Sequence, residues 1–146
     1  MGVSEYATEV RAEWIDYNGH FSEGYYVLVF GFATDEAMAA LGLGEDYRAA
    51  SGCSLYTVES HVRYLSEVGL GAQLRIATEV IGAAERKLQL AHTMYAGNEI
   101  IATEELLALH VDQAAGRAVP LPAEVRAAAE ARLSPAPDWS GRRVGL

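Results

Sequence analysis

Asp16, Asn18 and His20 lie close together in the run Trp14-Ile-Asp-Tyr-Asn-Gly-His-Phe-Ser-Glu-Gly-Tyr-Tyr26, with aromatic residues on both sides. An acid, an amide and an imidazole gathered just before an apolar stretch can orient or transfer a proton. The same residue types, with Gly19, also make an ordinary turn, so composition alone leaves both readings open. Asp16, Asn18 and His20 are the first place to look for an active site. His20 either orients Asp16 or donates to the backbone.

Other chemistries find less support. His20, His61, His92 and His110 lack the i, i+2 or i, i+4 spacing that brings two imidazoles to one ion, so no metal is expected. Cys53 is the only cysteine, which excludes an intrachain disulfide and a cysteine metal cluster. No Gly-x-Ser-x-Gly elbow occurs, and Gly42-Leu-Gly44 follows a helical run where a phosphate loop would precede one. A formal charge of -9 argues against nucleic acid as a partner, because phosphate neutralisation needs clustered Lys and Arg. Arg48, Arg63, Arg86, Lys87 and Arg117 are the scattered candidates for holding a phosphate-bearing ligand.

The elements that must position the motif read as follows. Tyr6 to Trp14 alternates as a strand, and the motif follows it directly. From Glu23 to Leu41 apolar residues recur at helical spacing until Gly42 and Gly44 end the run. This helix is apolar over much of its circumference and needs a sheet around it. After a loop from Gly42 to Gly52, four strands are expected at Ser54 to Leu65, Gln73 to Ile81, Lys87 to Tyr95 and Ile100 to Val111. Glycine-containing reversals separate them. Ala123 to Leu133 reads as a short helix after Pro120 and Pro122, followed by a loosely held tail. The 146 residues therefore form one domain, 1–133, with a C-terminal tail, 134–146. With no run of about 18 apolar residues and no basic-then-hydrophobic N-terminus, a cytoplasmic protein without membrane contact is expected.

Strand, long helix and four antiparallel strands resemble the hotdog fold, an α+β architecture in which a curved five-stranded sheet wraps a central helix. Asp16-Tyr-Asn-Gly19-His20, Tyr25-Tyr26, Val62-Arg-Tyr-Leu65, Gly71-Ala-Gln-Leu74 and His110-Val-Asp112 through Gly116-Arg-Ala-Val-Pro120 carry the likeness. Together they resemble acyl-CoA thioesterases of the 4-hydroxybenzoyl-CoA thioesterase type, over roughly Ala7 to Val125. The resemblance implies that Asp16 attacks the thioester carbonyl as a nucleophile or activates water as a general base. It also implies an oxyanion donor at the helix start, the backbone N–H near Glu23. Many members carry two acids around this turn, whereas Trp14 and Ile15 leave Asp16 alone in it. No cofactor is implied, coenzyme A being part of the substrate, and sites between subunits imply a homodimer or homotetramer.

Trp14-Ile-Asp-Tyr-Asn-Gly-His20, Val29-Phe-Gly-Phe-Ala-Thr-Asp35 and Tyr56-Thr-Val-Glu-Ser-His-Val-Arg63 are similar, more narrowly, to betainyl-CoA thioesterases of carnitine breakdown. A trimethylammonium acyl group cannot donate a hydrogen bond and is held best by aromatic faces near a carboxylate. Trp14, Tyr17, Tyr25, Tyr26 and Tyr56 are the candidate walls and Glu59 the candidate counter-charge; each aromatic could equally be core. Strand alternation puts Thr57, Glu59, His61 and Arg63 on one face and Tyr56, Val58, Ser60, Val62 and Tyr64 on the other, toward the helix. The charged face lines the active site or a subunit boundary, or is a solvated sheet face. A thioesterase for short-chain or aryl acyl-CoA is one alternative; beside thioester hydrolysis stand a hotdog enoyl-CoA hydratase or dehydratase, whose acid and histidine normally have another spacing, and an acyl-CoA binder without turnover.

Overall fold

The computed structural model describes residues 2–146. Strand β1 (Ser4–Glu9) leads through a 3-10 turn (Ala12–Trp14) to helix α1 (Glu23–Ala40) and a short helix α2 (Glu45–Ser51). Strands β2 (Cys53–Tyr64), β3 (Gln73–Ala83), β4 (Lys87–Ala96) and β5 (Glu99–Asp112), a two-residue strand β6 (Arg117–Ala118) and helix α3 (Ala123–Ala131) follow. The sheet is antiparallel in the order β1-β3-β4-β5-β2, with β6 paired to Val111 and Asp112 at the end of β5. A curled sheet around one long helix is the hotdog arrangement.

Helix α1 buries residues from both halves of its length. Val29, Phe30 and Ala33 pack with Trp14, Phe21, Tyr26, Leu74, Ile76 and Met94. Ala37 and Met38 pack with Val80, Leu88, Leu90 and Leu106, and α3 closes that end with Val125 and Ala129. Between these apolar groups lies a polar layer. Thr34 Oγ1 donates to the Phe30 carbonyl at 3.0 Å and meets His92 Nε2 at 2.8 Å, while Thr78 Oγ1 meets His92 Nδ1 at 2.7 Å. Because the Thr34 proton is spent on Phe30, His92 carries its proton on Nε2 and accepts from Thr78 on Nδ1. Glycine ends α1: Gly42 adopts φ +88°, and the Leu43 N–H returns to the Met38 carbonyl at 2.8 Å.

Four expectations change. The first strand stops at Glu9: Val10 still bonds to Gly71 and Ala72, and the chain then turns through Ala12–Trp14, where Trp14 N–H donates to the Arg11 carbonyl at 3.0 Å. The segment read as a loop after α1 contains α2, bounded by Gly44 and by Gly52 in the left-handed region. The sheet gains a sixth strand, β6. The tail is pinned: the Ser134 N–H donates to the Val80 carbonyl at 2.9 Å, the Ser140 hydroxyl donates to the Glu105 carboxylate, and Gly141 N–H donates to the same carboxylate at 2.8 Å.

Strand β2 departs from simple alternation. Thr57 pairs with Ala108 and Glu59 with Leu107, so Val58 is an extra, bulged residue. Beyond it, Ser60, Val62 and Tyr64 share the helix-side face of Leu106, Glu104 and Ala102. Before it, Leu55 and Thr57 hold that side, and Tyr56 stands opposite Leu109 on the outer face with Glu59, His61 and Arg63. The expectation that Tyr56 and Val58 face the helix is therefore corrected by one bulge. No single helix among the described residues is long and apolar enough to cross a membrane.

Candidate active site

Asp16 closes its own turn. Its N–H donates to the His20 carbonyl at 2.9 Å and its carbonyl accepts from Gly19 N–H at 3.0 Å. Carboxylate Oδ1 accepts from the backbone N–H groups of Asn18 at 2.9 Å and His20 at 3.3 Å. Oδ2 has no hydrogen-bond partner among the described residues, so one oxygen fixes the turn and the other faces outward. Gly19, at φ +80°, supplies the left-handed step that the reversal requires.

The turn is fastened to the start of α1 and to the chain after β2. Ser22 N–H donates to the Trp14 carbonyl and Phe21 N–H to the Val68 carbonyl, both at 2.9 Å. Ser22 precedes the helix without a side-chain cap. The first N–H groups of α1, at Glu23 and Gly24, therefore have no intrahelical acceptor and form the positive end of the helix dipole. Two tyrosines bind this end to the segment after β2: the Tyr26 hydroxyl donates to the Ser66 carbonyl at 3.1 Å, and the Tyr64 hydroxyl to the Glu23 carbonyl at 3.3 Å. Their rings meet edge to face at 5.1 Å. Burial first, then the charge of Glu67, raises the Tyr26 hydroxyl pKa; burial, then Glu23, does the same for Tyr64. Both stay protonated donors at neutral pH.

These groups surround a cleft of about 670 Å³. Asp16, Tyr17, Asn18, His20, Glu23 and Tyr26 line it, so six of the site residues expected from the sequence come together. Phe21, Tyr64 and Glu67 line it as well and were not anticipated as site residues. His20 Nε2 lies 3.3 Å from a Glu67 carboxylate oxygen. Asp16, Glu23 and Glu67 make the lining acidic, and no lysine or arginine joins them among the described residues.

The remaining expected binding residues are placed elsewhere within the protomer. Trp14 is buried under the turn, stacked on Tyr25 with centroids 6.1 Å apart and covered by the Arg11 guanidinium 5.2 Å from its ring. Trp14 and Tyr25 thus support the turn from beneath and do not wall the cleft. Glu59 and His61 line a second cleft on the outer face of the sheet, with Gln89, Glu105, Arg142 and Arg143, and Tyr56 stands on that same face. The bulge at Val58 is the physical reason for Tyr56. Among the described residues no group of three or more His, Cys, Asp or Glu side chains could hold a metal ion.

An outward-facing carboxylate oxygen beside unpaired helix N–H groups can act on a carbonyl carbon while the amides take up charge developing on its oxygen. Known proteins share the fold and much of the sequence. The sequence pattern of the thioesterase-like superfamily matches residues 10–129. A betainyl-CoA thioesterase of Pseudomonas aeruginosa is 39% identical over 151 aligned residues, covering 99% of this chain and 95% of that protein. An L-carnitine dehydrogenase/betainyl-CoA thioesterase of Agrobacterium fabrum is 41% identical over 140 residues, 92% of this chain but 29% of that longer protein. Among solved structures, a Staphylococcus aureus protein in complex with CoA matches with TM-score 0.89 at 21% identity, over 97% of this chain and 94% of its own. A gentisyl-coenzyme A thioesterase matches at 0.79 and 17% identity, over 86% and 99%. At such identities these two structures carry the fold alone.

Proposed function

The chain belongs to the thioesterase-like superfamily and is an acyl-CoA thioester hydrolase, and we propose that its substrate is betainyl-CoA, cleaved to glycine betaine and free CoA. One observation carries the choice of acyl group: the cleft beside Asp16 holds three carboxylates and the rings of Tyr17, Phe21, Tyr26 and Tyr64, without a lysine or arginine. Such a lining suits a fixed cation that cannot donate a hydrogen bond and repels an anionic acyl group. The likeness to the Pseudomonas aeruginosa enzyme over nearly the whole chain supports the same reading.

Asp16 acts as the catalytic carboxylate through its unbonded Oδ2. As a nucleophile, it expels the CoA thiolate and forms a mixed anhydride that water then hydrolyses. As a general base, it takes a proton from the water that attacks. In both routes water supplies one oxygen of the product acid and the thiol leaves with a proton. The Glu23 and Gly24 N–H groups stabilise the tetrahedral oxyanion. Asn18 and His20, through their backbone N–H groups, hold the carboxylate in register.

The protein works as at least a homodimer. Strand β2 is an edge of the sheet, with Tyr56, Val58 and Tyr64 each 42% exposed or more, and α1 leaves Val27 and Leu28 at 45% and 41%. An open edge beside exposed apolar side chains is what a second copy covers.

Thiol release from betainyl-CoA, short acyl-CoAs and aryl-CoAs tests the proposal. Betainyl-CoA is expected to give the highest kcat/KM, and Asp16→Asn to lower it about a thousandfold. A neutral or anionic acyl group preferred over betainyl removes the substrate assignment; full turnover by Asp16→Asn removes the catalyst.

A further inference from the structure

We propose that Glu67 is the specificity-determining carboxylate that holds the trimethylammonium head, beside the exposed ring of Tyr64; this rests on the betainyl-CoA reading and deepens it. In betainyl-CoA the cation is separated from the reacting carbonyl carbon by a single methylene. A counter-charge must therefore lie in the same cleft as Asp16, since attraction falls with distance and water intervenes outside. Glu67 meets this requirement and Glu59, on the outer face, does not.

The chain holds Glu67 in place from both sides. Its predecessor's carbonyl, at Ser66, accepts from the Tyr26 hydroxyl at 3.1 Å, and its successor's, at Val68, accepts from Phe21 N–H at 2.9 Å. The donors belong to α1 and to the catalytic turn, so the backbone of this acid moves with Asp16. One carboxylate oxygen meets His20 at 3.3 Å; the other has no partner among the described residues. Its charge already reaches the Tyr26 hydroxyl, whose ring lines the cleft.

Among the described residues, Asp16 and Glu23 are the only other acids that line the cleft. Asp16 is the reacting group. Glu23 sits in the first turn of α1, and Glu104, on the helix-side face behind Tyr64, does not line the cleft. A carboxylate needs no directional bond to attract a quaternary ammonium, and the three methyl groups would cover it from water on binding.

Betainyl-CoA and 3,3-dimethylbutyryl-CoA, which carries carbon where betaine carries nitrogen, test the assignment as a matched pair. Preference for the cation, read as the ratio of the two kcat/KM values, is expected to fall about tenfold in Glu67→Gln, chiefly through the KM of betainyl-CoA. Turnover of the neutral thioester should fall less than that of betainyl-CoA, and thermal unfolding close to that of wild-type protein reports an intact fold. Glu67→Asp should keep the preference. An unchanged ratio in Glu67→Gln, or an equal loss on both esters, overturns the proposal, as does a collapse of the ratio in Glu59→Gln alone. Wild-type protein with no preference for the cation would instead remove the substrate reading on which the proposal rests.

Discussion

Glu104 and His92 lie opposite one another on adjacent strands, and burial acts on them in opposite senses. His92 Nε2 is 3.9 Å from a Glu104 carboxylate oxygen, a distance that suggests an ion pair. Burial lowers the imidazole pKa to about 3 and raises the carboxyl to about 7, so between those two values both partners are neutral and the contact is not ionic. The sign for Glu104 is that of a raised pKa: its contribution is complete below the unfolded value of 4.5 and is lost as pH rises through about 7. For His92 it is the reverse, with stability lost as pH falls from 6.5 toward about 3. Between 4.5 and 6.5 the two slopes cancel. We expect Glu104→Gln to raise stability at pH 8 by at most about 3 kcal/mol, with little change at pH 4, read by thermal unfolding at both values. An equal shift at both pH values would point to packing as the cause. Asp16, Asn18 and His20 were legible in the sequence because one short turn holds them together. Glu67 was not, because only the hydrogen bonds from Phe21 and Tyr26 bring residues 66 to 68 to that turn.

At the scale of elements, long patterned segments were readable and short ones were not. Helix α1 and strands β2 to β5 fall within a residue or two of the ends expected from periodicity and glycine. Helix α2 is too short to show a repeat, although Gly44, Glu45, Asp46 and Gly52 mark its ends. Tyr47 alone gives it a purpose, with its hydroxyl 2.7 Å from buried His110 Nε2. The 3-10 turn at Ala12–Trp14 continues the alternation of β1 in sequence, and only the bonds from Trp14 and Ile15 N–H back to the Arg11 and Ala12 carbonyls show that the strand has ended. The turn that carries Asp16 rests on one backbone requirement. A Cβ added at Gly19 meets nothing within 4 Å, so Gly19→Ala carries the strain of φ +80° and no clash. The expected cost is about 1 kcal/mol, with a lower kcat/KM, and Gly19→Asn should recover part of both because asparagine tolerates this conformation. Thermal unfolding and thiol release on the two variants check it; equal loss in both would show that something other than φ matters.

At the scale of the whole molecule, the exposed apolar side of α1 and the uncovered edge of β2 belong to one proposal about assembly. Leu28 is exposed on α1, so Leu28→Lys should leave the protomer folded. In a two-fold dimer the change enters twice, at about 2 kcal/mol for each copy, and sedimentation should show dissociation at concentrations where wild-type protein stays associated. Identical sedimentation of the two proteins would remove α1 from the interface.

The bulge in β2 also bears on what lengths of chain the fold accepts. Thr57 faces the helix opposite Ala108, and Glu59 faces outward opposite Leu107, so the residues flanking Val58 already alternate as consecutive strand residues do. Val58 is supernumerary to the ladder. A chain lacking it keeps every pairing and every facing of β2, whereas loss of a residue farther along the strand closes the bulge and reverses the facing of the residues between the gap and Val58. Among homologous chains, a gap at this position is therefore silent for the architecture, and one a few residues away is not.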